Sequence, residues 1–129
     1  MRRVRGLQSI VLGVLGLTVS AGALAERSLE DGVFSKAQAK DGKKLFAQHC
    51  KNCHHPKKYF DGKLKEWQGL TLDQPYGIIS GLMPQDNPGG LWGEEYAAIL
   101  AYILDENDFP TGTEALDAGA LTDIRVTAP

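Results

Sequence analysis

Cys50-Lys51-Asn52-Cys53-His54 is the stretch on which the reading of this chain turns. Two thiols three positions apart, followed directly by a histidine, form the Cys-x-x-Cys-His pattern of c-type haem attachment. The spacing has a chemical reason. Each thiol can add to one vinyl group of a single porphyrin, giving two thioethers, and the next imidazole is then held under the iron as proximal ligand. Other chemistries also use paired cysteines. A dithiol redox pair expects a βαβ setting, which the pattern around Cys50 lacks. A zinc site expects a second ligand pair, yet the chain has only 2 Cys, and its 3 His (His49, His54 and His55) all lie in this one segment. The expectation is one covalent haem c on Cys50 and Cys53, with His54 on the iron.

The opposite face of that iron needs a second donor. His49 and His55 are too close to His54 in sequence to reach round to it. Of the 2 Met, Met1 opens the chain, which leaves Met83, 29 positions beyond His54. A lone methionine is often core filling. Met83 instead sits in Gly81-Leu82-Met83-Pro84, a turn rather than a helical stripe. A thioether paired with histidine also raises the reduction potential of a haem. Met83 is the expected distal ligand.

Outward from these residues the chain reads as helices joined by irregular stretches. Ser35-Lys36-Ala37-Gln38 has capping-box spacing, and Ala39, Gly42, Leu45, Phe46 and His49 recur at threes and fours behind it. A second helix is expected from about Glu94 to Asp105, with Tyr96, Ile99, Leu100, Ile103 and Leu104 as its apolar stripe. Asp105 and Glu106 stand unfavourably at its negative end, and the sequence offers no partner for them. A third, short helix fits Asp73 to Ser80, with Pro75 in the first turn, where its missing N–H costs nothing. Between Pro56 and Gly90 the chain is dense in Gly and Pro, and nothing there alternates like a strand. Such a stretch has to wrap something. Beyond Phe109-Pro110 the tail is weakly patterned and its structure stays open.

Arg2, Arg3 and Arg5, the apolar run Ile10–Leu17 and the small residues ending in Ala25 read as a secretory signal peptide over residues 1–25. An uncleaved membrane anchor is the alternative, against which the short apolar run speaks. Residues 26–129 then form one domain, with a core at about 36–109 and a tail at 110–129. Without the leader, 11 Lys and Arg remain against 16 Asp and Glu, a formal charge of −5. Nucleic acid is an improbable fit for that balance. Seven of the 11 basic residues lie between Lys43 and Lys65. They are either an ordinary solvated surface or a basic rim that steers acidic partners.

Gly42-x-x-x-Phe46, the attachment motif, Met83-Pro84 and Ile99-Leu100-Ala101-Tyr102 together resemble the class I cytochromes c, over about Lys36 to Phe109. Met83 through Leu91 is similar to the small cytochromes that serve periplasmic dehydrogenases. The resemblance implies an all-α cytochrome c fold, three to four helices and wrapping loops around one haem. It implies that Gly42 and Phe46 meet Ile99 and Tyr102 where the first and last helices cross. Trp67 is either the family's propionate-bonding indole or a packed side chain. The implied role is a periplasmic electron carrier without catalysis of its own. Its partners would be redox proteins, a dehydrogenase donor and a terminal oxidase or other cytochrome acceptor, and it would meet a membrane only through them. A dedicated electron-accepting subunit, docked through the tail, is the second reading. A haem gas sensor or peroxidase comes third, because it needs an open iron face.

Overall fold

The computed structural model describes residues 26–54 and 63–127. The expected signal peptide over residues 1–25, His55, Lys57 and Lys58 lie outside the described residues. Within them the chain is mostly helical, in keeping with the all-α expectation. Helix α1 spans Lys36–His49, α2 Lys63–Trp67, α3 Asp73–Leu82 and α4 Gly93–Glu106. Two-residue strands, β1 at Arg27–Ser28 and β2 at Ile124–Arg125, pair in parallel. No helix among the described residues is long and apolar enough to cross a membrane.

Helix α1 starts where the cap predicts. Ser35 accepts a hydrogen bond from the Gln38 amide at 3.1 Å. The other half of the expected capping box does not form. Gln38 gives its side-chain amide to Leu116, donating to the Leu116 carbonyl at 2.9 Å and accepting from its N–H at 2.7 Å. The reciprocal pair ties the tail to α1. Tertiary structure has claimed a group that local sequence assigned to the cap.

Helix α4 is buried from Tyr96 to Leu104 without a break. The expected stripe is there, but Ala97, Ala98, Ala101 and Tyr102 are covered as well. A helix apolar all round belongs inside, with neighbours on every side. Against α4 lies α1, which crosses it at Gly42. A Cβ at Gly42 would overlap the Ala98 carbonyl oxygen, so only hydrogen fits there. One turn on, Phe46 meets Tyr102 edge-on with ring centroids 5.5 Å apart. A glycine inside a helix costs about 1 kcal/mol against alanine. The close crossing is what that cost secures.

The tail supplies the remaining cover. Leu116, Leu121, Ile124 and Val126 are buried in the same core as α4, as are Leu29, Val33 and Phe34 ahead of α1. Backbone bonds from Leu72 N to Ile124 O and from Val126 N to Leu70 O, both 2.9 Å, hold the tail beside the segment leading into α3. Asp105, without a partner in the sequence reading, accepts Lys36 Nζ on both oxygens at 2.7 and 2.8 Å.

Candidate functional site

Four backbone bonds shape the segment of residues 50–54 at the end of α1. The Cys50 and Lys51 amides donate to the Phe46 carbonyl at 2.9 and 3.0 Å. The Cys50 carbonyl then accepts from the amides of Cys53 and His54, at 3.2 and 2.9 Å. Residues 50, 53 and 54 are thus three and four positions apart in a single helix-like turn, which gathers their side chains at one place. Cys50 and His54 are half-buried and Cys53 is exposed. Neither cysteine is in a disulfide. Burial pushes the Cys50 thiol above its ordinary pKa. A dithiol catalyst needs the reverse, a thiol lowered by a helix N-terminus or a nearby cation. Cys50 stands at a helix C-terminus, the wrong end for that chemistry.

Met83 caps the C-terminus of α3, its amide donating to the Ile79 carbonyl at 3.0 Å. The bond from Met83 to Pro84 is cis. Two turns follow, closed by Asn87 N to Pro84 O at 2.9 Å and Gly90 N to Asn87 O at 3.0 Å. Gly89 has φ +72°, in the left-handed region that glycine tolerates. Leu91 and Trp92 then lead into α4.

Both segments border one cavity of about 710 Å³. Cys50, Cys53 and His54 line it from the end of α1, and Met83 and Pro84 from the end of α3. All four residues picked out from the sequence are brought together. Phe46, Ile79, Leu91, Ile99 and Ile103 give the lining an apolar side, while Gln48, Asn52, Gln85, Asp86 and Asn87 give it a polar one. His49 also lines it, although its sequence position set it aside. Trp67 does not line it among the described residues and packs on the core instead.

The volume lies within the range of about 300–1,000 Å³ usual for cofactor sites. Among the described residues no group of three or more His, Cys, Asp or Glu side chains is placed to hold a bare metal ion. A porphyrin supplies its own in-plane nitrogens, so its iron asks the chain only for axial donors. An imidazole and a thioether on one cavity with an apolar side, and two thiols beside the imidazole, fit that demand. Sequence reading missed the apolar floor from α3 and α4, since Ile79, Ile99 and Ile103 carry only the ordinary signal of helix packing. No family model, curated protein or solved structure matches the chain.

Proposed function

We propose that this chain is a one-electron carrier of the class I cytochrome c type, with one covalent haem c inside an all-α frame. Cys50 and Cys53 form the thioethers, His54 is the proximal ligand and Met83 the distal one. The observation that supports this most is that Met83, 29 positions beyond His54, borders the same cavity as the attachment turn. When bound, the group supplies an iron that gains and loses one electron. The chain holds it on two sides and keeps water from its apolar floor, where Phe46, Ile79, Ile99 and Ile103 lie. His54 and Met83 would both hold the iron and leave no place for an outside ligand, which favours a carrier over a gas sensor or peroxidase.

The carrier works outside the cytoplasm, between a dehydrogenase as donor and an oxidase or second cytochrome as acceptor. The subunit reading drew on the tail as a docking element. Leu116, Leu121, Ile124 and Val126 face the chain's own core, which supports a free carrier instead.

Denaturation in acid–acetone should leave the colour on the polypeptide, with the mass of one haem added. Haem released into the organic phase refutes the proposal. In the oxidised protein a sulfur-to-iron charge-transfer band should be present. Met83→Ala should abolish it, lower the reduction potential, and let the reduced iron bind carbon monoxide, which the wild type resists. Axial ligand identity tunes haem over about 0.8 V, so the shift should be large. A wild type that lacks the band and binds carbon monoxide rapidly returns Met83 to core filling.

A further inference from the structure

Tyr96, on the first turn of α4, is 3% exposed, and the sequence marks it only as one residue of an apolar stripe. Its hydroxyl does something packing does not require. It donates to the Met83 carbonyl at 2.6 Å and accepts from the Leu91 N–H at 3.4 Å. One phenol oxygen therefore touches both ends of the loop that carries Met83. The ring is braced edge-on by Tyr76, with centroids 6.4 Å apart, and Tyr76 donates to the Gly93 carbonyl at 3.2 Å.

We infer that Tyr96 is a positioning residue for the distal ligand, a clasp that closes the Met83–Leu91 loop against α4 and holds Met83 at the cavity. The inference rests on the carrier reading above. Residues 85–90 are exposed, and the loop's internal bonds are two isolated turns rather than a helix or sheet ladder. Pro84 has no N–H to contribute. A neutral thioether on such a loop competes with any free donor that reaches the iron. Its advantage is effective concentration, which falls as the loop gains freedom. Fixing the Met83 carbonyl to a buried phenol on a rigid helix raises that concentration. The phenol can donate once and still accept, so both bonds can form together.

The test is competition for the sixth position in the oxidised holoprotein, using imidazole as the probe. Tyr96→Phe keeps the ring and removes the clasp. Imidazole should then displace the sulfur-to-iron band at about two- to tenfold lower concentration than in wild type, the size of one lost hydrogen bond. The reduction potential should fall in the same variant. Tyr76→Phe loses a hydroxyl from the same aromatic pair but has no bond to Met83, and should titrate as wild type. A wild type without the band removes the carrier reading and the inference together. A wild type with the band and a Tyr96→Phe protein that titrates identically overturns the inference alone, as does an equal effect from Tyr76→Phe. If Tyr96→Phe does not fold, isotope-edited infrared on wild type with a labelled Met83 carbonyl replaces it. A band at the lower frequency of a hydrogen-bonded amide supports the clasp, and one at the free position overturns it.

Discussion

The two segments that meet at the cavity are built in opposite ways. The attachment turn takes its shape from residues within nine positions of each other, through bonds running from Phe46 to His54. The Met83 loop shares one local bond of this kind, from its amide to the Ile79 carbonyl on α3, but it is closed against a separate element, through Tyr96 on α4, 13 positions on. One wall is a local structure that happens to be in a fold, and the other exists because of the fold. This difference explains why five consecutive residues announce the first wall, while the second had to be inferred by elimination among possible donors.

The largest expected effect comes from removing the local wall. On the haem reading proposed above, changing both Cys50 and Cys53 to serine removes every covalent bond between the group and the chain and would leave the cavity without its filling. A domain of this length buries only about two thirds of its extended-chain surface and has little stability to spare. Little folded, coloured protein should accumulate on expression. Recovery of a helical, cooperatively unfolding, colourless protein would mean that the packing around α4 suffices by itself. The attachment turn would then be an appendage rather than a foundation.

Next in size is the crossing that joins the two walls. Gly42→Val places carbon where the Ala98 carbonyl oxygen lies, so α1 and α4 must separate or shift. Overpacking against backbone of this kind costs about 3 kcal/mol. Urea unfolding followed by far-ultraviolet circular dichroism should show the midpoint fall. The charge-transfer band should be lost at lower urea than the helicity, because Met83 depends on α4 whereas the thioethers are covalent. Coincident loss of both signals would show that the distal wall and the helices unfold as one cooperative unit, with no weaker step at the Met83 loop.

Legibility in the sequence follows the same division. Ser35, Gly42, Phe46 and the α4 stripe were readable because a helix repeats its pattern over 14 residues and caps announce its start. Pro75 in the first turn of α3 was readable for a similar reason. The tail was not. Leu121, Ile124 and Val126 are buried, yet Leu121 sits in a 3₁₀ segment, Ile124 in a two-residue strand and Val126 just past it, too short a run of either to establish any period. Gln38 was misassigned because its local role in a capping box and its long-range role with Leu116 use the same atoms. At the site, Cys50, Cys53 and His54 follow from chemistry in one short segment. Tyr96 was invisible, since a stripe position gives no sign of where a hydroxyl will point.

The smallest effect should come from a contact remote from both walls. Lys36 pairs bidentately with Asp105, but the lysine side chain is 74% exposed and the aspartate 20%. Exposed pairs of this kind are worth about 0–1 kcal/mol. Each partner also stands at the end of its helix where the dipole disfavours it, lysine at the start of α1 and aspartate in the last turn of α4. Pairing offsets two small penalties rather than adding a large gain. Lys36→Ala alone leaves Asp105 facing the negative end of α4 without its partner and should cost about 0.5 kcal/mol. Adding Asp105→Asn should return part of that loss, making the double variant more stable than Lys36→Ala. The coupling in this cycle should fade as ionic strength rises past the point where exposed charges are screened. Throughout, the charge-transfer band and the imidazole titration should match wild type, because neither wall of the cavity uses this pair. A shift in either would mean that the α1–α4 crossing carries strain to Met83 through its charged edge. The contrast between a local and a fold-dependent wall would then have to include that edge.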